Sequence, residues 1–244
     1  MNLAGIGDRC YNHFIRERRS VEQAVRKENE IMIGAPVSIQ CRRNNKIYIR
    51  ALPGHFAMTH SHTNYYIDIM ESKLNQQMAG EAAQTLAQSF TYEQQIDTIV
   101  CMDGSEIIGA FLAHELAKGN IYSVNGKKDI YVVTPERENA RQMIFRDNIQ
   151  PMIRDKKVLI LCGSVLTGKN VRKAIQCVKW YGGEVVGIAS VFSIVDEIDN
   201  LKVNHLYCKA DFPEYDACDY TECKLCQAGQ PIDALANCYG YSKL

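Results

Sequence analysis

The chain has 244 residues, with 28 Lys and Arg against 28 Asp and Glu, so its formal net charge is zero. Hydrophobic residues make up 46% and charged residues 23%, an ordinary globular composition that excludes a disordered or collagenous chain. Balanced charge also argues against nucleic-acid binding, which draws on a surplus of Lys and Arg.

The first fifteen residues hold no apolar run of signal-peptide length, and no stretch approaches the roughly 20 apolar residues of a membrane helix. Ten cysteines without an export signal are expected to be thiols or metal ligands in a reducing cytosol. The expectation is a soluble, cytoplasmic protein with neither a membrane nor a nucleic-acid partner.

Residues 1–34 are predicted to be helical, with Tyr11, Phe14, Ile15, Val21 and Val25 among charges and a stop at Gly34 to Pro36. Residues 41–52 read as a strand ended by Pro53-Gly54, and residues 73–90 as an Ala-rich helix. An alternation follows. Strands are predicted over 96–102, 129–134, 157–162 and 184–192, with helices over 107–118 and 170–181. That rhythm implies a parallel sheet with helices on its faces. Residues 135–155 break it; they are polar, carry Arg137, Arg141, Arg146 and Arg154, and suit a solvated helix or a flap. The tail from Asp211 is loop-rich and contains Cys218, Cys223, Cys226 and Cys238.

The most informative segment follows the apolar run Val158-Leu-Ile-Leu161. A strand, a short loop and a helix start near Asn170 put free N–H groups and a positive dipole at a strand's carboxyl end. Ser164, Val165, Leu166, Thr167, Gly168, Lys169 and Asn170 form a candidate phosphate-binding loop, with a hydroxyl, a close-approach glycine, a charge and an amide at its end. Gly163 to Lys169 also satisfies G-x-x-x-x-G-K, the start of a P-loop, but Asn170 stands where Ser or Thr should hold magnesium. A plain βα turn with a capping Thr or Asn is the third reading.

Residues 158–168 also resemble the signature of the type I phosphoribosyltransferases, in which an apolar strand, two acids and a few small residues lead to Thr-Gly and a helix. Cys162 and Gly163 stand where the acidic pair belongs. Gly54-His-Phe-Ala-Met-Thr-His-Ser-His-Thr-Asn-Tyr-Tyr-Ile-Asp68 resembles the orotate phosphoribosyltransferase segment Gly-His-Phe-x-Leu-x-Ser-Gly-x-His-Ser-x-x-Tyr-x-Asp. Residues 96–116 resemble that family's pyrophosphate-loop strand and helix. Cys223-Lys-Leu-Cys-Gln-Ala-Gly-Gln-Pro231 resembles its Cys-Pro-Leu-Cys-x-x-Gly-x-Pro tail. Four segments in the family's order, from 54 to 232, carry the resemblance.

The resemblance implies an α/β fold, a phosphoribosyltransferase-like parallel sheet flanked by helices. An N-terminal hood (1–54), a core (55–210) and a Cys-rich tail (211–244) make up the chain. It implies pyrimidine nucleotide metabolism, a ligand that is 5-phosphoribosyl pyrophosphate (PRPP) or a nucleotide phosphate, magnesium for catalysis, and a homodimer. Asp103, Gly104, Ser105 and Glu106 fall at the pyrophosphate loop, Arg137 and Arg141 at the flap, and His62 and Tyr66 on the base side. Asp103 and Glu106 add negative charge where a leaving anion should sit, unless a metal or Arg intervenes. With the acidic pair gone, catalytic residues are unassigned and transferase activity is expected to be altered or lost. A non-catalytic nucleotide or PRPP sensor and a P-loop-like nucleotide hydrolase are the alternatives.

Cys218, Cys223, Cys226 and Cys238 could form a four-thiolate zinc site, or the Cys-x-x-Cys could be a tail feature without metal. His60 and His62, two apart, could ligate a metal from one strand face. Cys162, at a strand end beside a helix start, could have a depressed thiol pKa, though packing is the more ordinary role. Trp180 and Tyr181 are expected in the core and at a helix cap.

Overall fold

The computed structural model describes residues 34–59, 61–90, 94–118, 124–138 and 142–244. The helix expected over residues 1–34 falls, but for Gly34, outside the described residues, as do His60 and Arg141.

In chain order, β1 (Val37–Cys41), β2 (Asn44–Ala57) and β3 (His62–Asp68) come first. Pro53-Gly54 does not end a strand. β2 runs through it with a register shift between Pro53 and Phe56, a bulge that accommodates the missing proline N–H. Two helices follow, α1 (Met70–Leu74) and α2 (Gln76–Ala87), where one was expected. Asn75 separates them, because its Oδ1 accepts from the amides of Gln77 at 3.0 Å and Met78 at 3.1 Å and so starts a new helix.

Then come β4 (Thr98–Cys101), α3 (Glu106–Ala117) and β5 (Tyr131–Val133). The polar stretch after them is a hairpin, β6 (Glu136–Glu138) against β7 (Gln142–Ile144). The second half of the core is β8 (Lys157–Val165), α4 (Lys169–Trp180), β9 (Glu184–Ser193), β10 (Glu197–Ile198) and β11 (Leu201–Cys208). The tail adds β12 (Ala217–Cys218), the one-turn α5 (Lys224–Gln227), β13 (Ala234–Asn237) and β14 (Gly240–Lys243).

The core sheet has the order β10-β11-β9-β8-β4-β5, parallel throughout except for β10. Its five parallel strands, numbered along the chain, stand 2-1-3-4-5. Connections leave in opposite directions from β4 and β8, so a crevice opens between their carboxyl ends. Alternate residues feed two cores: Leu159 and Leu161 pack with α2 and α3, while Val158, Ile160 and Cys162 pack with Val171, Ile175 and Val178 of α4. Trp180, at the end of α4, is 85% exposed, so it is neither core nor cap. Tyr181 packs edge-on against Phe145, with ring centroids 5.4 Å apart.

The second sheet, β12-β3-β2-β13-β14 with β1 on β2, joins both ends of the described chain. The hood is thus built from β1 to β3 together with tail strands, and β3 belongs to it and not to the core sheet.

Candidate functional site

The crevice between β4 and β8 is where the sequence-predicted residues meet. β8 was expected to stop at Cys162, but it continues to Val165 because Cys162, Ser164 and Val165 pair with Ser190, Phe192 and Ser193 of β9. Residues 166–168 alone form the turn into α4. Gly168 adopts φ +70°, and a Cβ there would stand 3.0 Å from Ile198 Cδ1. A side-chain-free, left-handed residue thus brings the helix start to the cleft. Ser164, Thr167, Lys169 and Asn170 line that cleft together with Asp103, Arg137 and Asn237 to Tyr239. The amides of a helix start, two cations and a carboxylate therefore share one space.

After β4, Asp103 and Gly104 turn the chain with φ of 59° and 77°. Ser105 is buried and its hydroxyl donates to the Leu161 carbonyl at 3.1 Å, tying this loop to β8. Glu106 opens α3 and accepts from the Thr134 hydroxyl at 3.0 Å. Arg137, on β6, reaches the Asp103 carboxylate at 2.5 Å. The repulsion expected from Asp103 is thereby offset by an Arg from the β6–β7 pair. The Arg141 flap position lies outside the described residues.

Sequence reasoning missed Lys73. It sits on α1, is 1% exposed, and its Nζ donates to the carbonyl of Asp103 and, at 2.6 Å, to that of Cys238. Burial lowers its pKa from the usual lysine value, against the opposing influence of Cys238, Asp103 and Glu106. Helical periodicity placed position 73 at the start of a helix and gave no other sign of its role.

Cys162 and Gly163 occupy the acidic pair's place without its chemistry. Cys162 is 2% exposed, and burial pushes its thiol well above the ordinary range, with Asp103 adding to the effect. The helix start does not depress it; the side chain is a protonated packing group. A Cβ on Gly163 would meet Ile69 Cδ1 at 2.9 Å and Lys73 Cδ at 3.5 Å.

Of the two residues expected on the base side, Tyr66 lines an apolar pocket beside the cleft, with Ile69, Phe192 and Tyr215. His62 does not line it. Its Nδ1 lies 3.1 Å from His55 Nε2 and 3.2 Å from Cys226 Sγ. Cys223 and Cys226 Sγ stand 3.5 and 3.6 Å from the same His55 Nε2. The structure therefore groups His55, His62, Cys223 and Cys226, in place of the four cysteines considered from sequence. Cys238 lies instead beside Lys73 at the cleft. Cys218 shares a thiol hydrogen bond with Cys223, and its Sγ lies 3.9 Å from the His62 carbonyl.

A 2-1-3-4-5 parallel sheet, with a Thr-Gly-Lys-Asn loop and an Asp-Gly-Ser loop at its switch point and a hooding second sheet, defines a type I phosphoribosyltransferase. The relatives narrow the class. The orotate phosphoribosyltransferase of Caldicellulosiruptor bescii is 30% identical over 184 residues, which span 74% of this chain and 87% of that protein. That of Desulforamulus reducens is 28% identical over 183 residues, 74% of this chain and 86% of that protein. The chain belongs to the orotate phosphoribosyltransferase family. No family model matches it. Among solved structures, orotate phosphoribosyltransferase of Mycobacterium tuberculosis H37Rv in complex with Fe(III) dicitrate aligns at TM-score 0.46 and 16% identity, over 67% of this chain and 91% of that one. No helix among the described residues is long and apolar enough to cross a membrane.

Proposed function

We propose that the protein binds a 5-phosphoribosyl compound, PRPP or a pyrimidine nucleoside monophosphate, and has lost most of the transferase activity of its relatives. One observation carries the reading: residues 164–170 and Arg137 line one crevice, while the positions of the acidic pair hold a buried Cys162 and Gly163. The 5-phosphate rests on the amides of residues 167–170, and a pyrophosphate faces Arg137. A thiol and a glycine cannot accept the ribose hydroxyls as two carboxylates do, so the developing ribose cation lacks its anionic support.

Magnesium suits oxygen donors. Asp103 is the carboxylate that lines the cleft and is paired with Arg137, so the ion fits as a companion of the ligand's own phosphate oxygens. The P-loop alternative loses support because Gly163 to Val165 remain in β8, leaving three residues to wrap a phosphate. A homodimer in the cytosol completes the proposal; light scattering should give twice the 27.6 kDa chain mass.

Calorimetric titration with PRPP, uridine monophosphate and ribose 5-phosphate tests the reading, beside a pyrophosphate-release assay with orotate and magnesium. Saturable binding with negligible release supports it, and absence of binding rejects it. Release at a rate typical of enzymes, about 1–1000 per second, favours a working transferase, for which the neutralised Asp103 speaks. ATP turnover abolished by Lys169→Ala would restore the hydrolase reading.

A further inference from the structure

The geometry points to a closed, tetrahedral zinc site made by His55, His62, Cys223 and Cys226, a staple that fixes the C-terminal tail against the hood. The ligand atoms lie within 4.8 Å of one another. Zinc lies about 2.3 Å from thiolate sulfur and about 2.0–2.1 Å from imidazole nitrogen. Tetrahedral angles then set nitrogen–sulfur separations of about 3.5 Å and a nitrogen–nitrogen separation of about 3.3 Å. The chain holds His55 Nε2 3.5 and 3.6 Å from the two sulfurs, His62 Nδ1 3.2 Å from Cys226, and the two nitrogens 3.1 Å apart. These are the separations of atoms that share one small cation.

The surroundings are also built for it. His55 is fully buried, and its Nδ1 faces the carbonyls of Gln230 and Pro231, both at 3.0 Å. A proton on Nδ1 satisfies them and leaves the Nε2 lone pair directed at the cluster, the arrangement that orients metal-binding histidines. The amides of Leu225 and Cys226 point at Cys223 Sγ, as they must to stabilise a thiolate in a Cys-x-x-Cys turn. Two sulfurs and two nitrogens in a closed tetrahedron suit zinc better than the oxygen-seeking cations.

The staple has a consequence for the cleft. His55 and Cys223 are 168 residues apart, so the metal would close a long loop and fix the tail against the second sheet. From α5 the chain runs into β13, which pairs parallel to β2, and then to Cys238, whose carbonyl accepts from Lys73. A metal at His55 and Cys223 therefore holds the strand that walls the phosphate-binding crevice.

The test uses the full chain purified under reducing conditions from zinc-supplemented medium. Elemental analysis should find one zinc per chain. His62→Ala and Cys226→Ser should lose it, whereas Cys218→Ser and Cys238→Ser should keep it. X-ray absorption at the zinc edge of the wild type should show two sulfur and two nitrogen neighbours, which reads the site even if a ligand variant fails to fold. A chain without zinc that also gives no tetrahedral cobalt spectrum on loading overturns the inference. So does a four-sulfur shell, or loss of zinc with Cys238→Ser.

Discussion

The stem of Lys73 lies over Gly163: a Cβ at position 163 would be 3.5 Å from Lys73 Cδ, while the lysine's Nζ binds the carbonyls of Asp103 and Cys238. The lysine stem therefore touches the strand position where the family's acid would stand. Gly163→Asp should destabilise the chain by about 1–3 kcal/mol, because its Cβ overpacks against Ile69 Cδ1 at 2.9 Å. In the Ile69→Ala background the same change should cost less, with a coupling of about 0.5–3 kcal/mol. Urea unfolding of the two single variants and the double variant reads this directly. Additive costs would place Ile69 off Gly163.

Gly168→Val should weaken binding of ribose 5-phosphate by about tenfold or more, a loss of about 1.4 kcal/mol or greater. The glycine's φ of +70° excludes a β-branched residue, and Ile198 Cδ1 lies 3.0 Å from the added Cβ. A Lys169→Ala control, which leaves the loop's amides in place, should lose less. Equal binding by wild type and Gly168→Val would make residues 164–170 a plain turn.

Asp103 and Arg137 should have opposite effects on PRPP. Asp103→Asn keeps a residue that tolerates the φ of 59° and releases Arg137 from its 2.5 Å partner, so PRPP should bind severalfold more tightly. Arg137→Ala should weaken PRPP while leaving ribose 5-phosphate unchanged, since the guanidinium faces the pyrophosphate side. Loss of both ligands alike would argue that Arg137 merely supports the fold.

Lys73 also sets a pH dependence. Burial lowers its pKa in the folded chain, so the unfolded chain binds that proton more tightly. Stability contributed by this group therefore rises with pH, from the depressed folded value up to the ordinary lysine value near about 10.4. The stability of wild type minus that of Lys73→Met should grow as pH rises toward that ordinary lysine value. A flat or falling difference would mean that burial does not govern this ammonium.

Thiol chemistry offers a further check. Burial pushes Cys101 up to about 12, and Cys162 also lies well above the ordinary thiol range. Since the thiolate is the nucleophile, brief iodoacetamide treatment of the native chain near about pH 8 should leave both unlabelled. Peptide mass spectrometry would detect the contrary, and label on Cys162 would reopen a nucleophilic role.

Periodicity in the sequence was enough for the alternation that became β4, α3, β5, β8, α4 and β9, because side-chain burial in a strand or an amphipathic helix is a local pattern. The turn into α4 was legible for the same reason: Thr167, Gly168, Lys169 and Asn170 lie next to one another in the chain. Tertiary structure decided the rest. β8 runs on to Val165 because β9 supplies its hydrogen bonds, and Pro53-Gly54 became a bulge because β3 pairs on both sides of it. Arg137 reaches Asp103 from 34 residues away, and Lys73 reaches Cys238 from 165 away. The Cys-x-x-Cys was visible as a pair of thiols, but its partners proved to be two histidines on β2 and β3. No local pattern could record these meetings, since they depend on strand order and on how the tail returns to the hood, and chain spacing does not encode either.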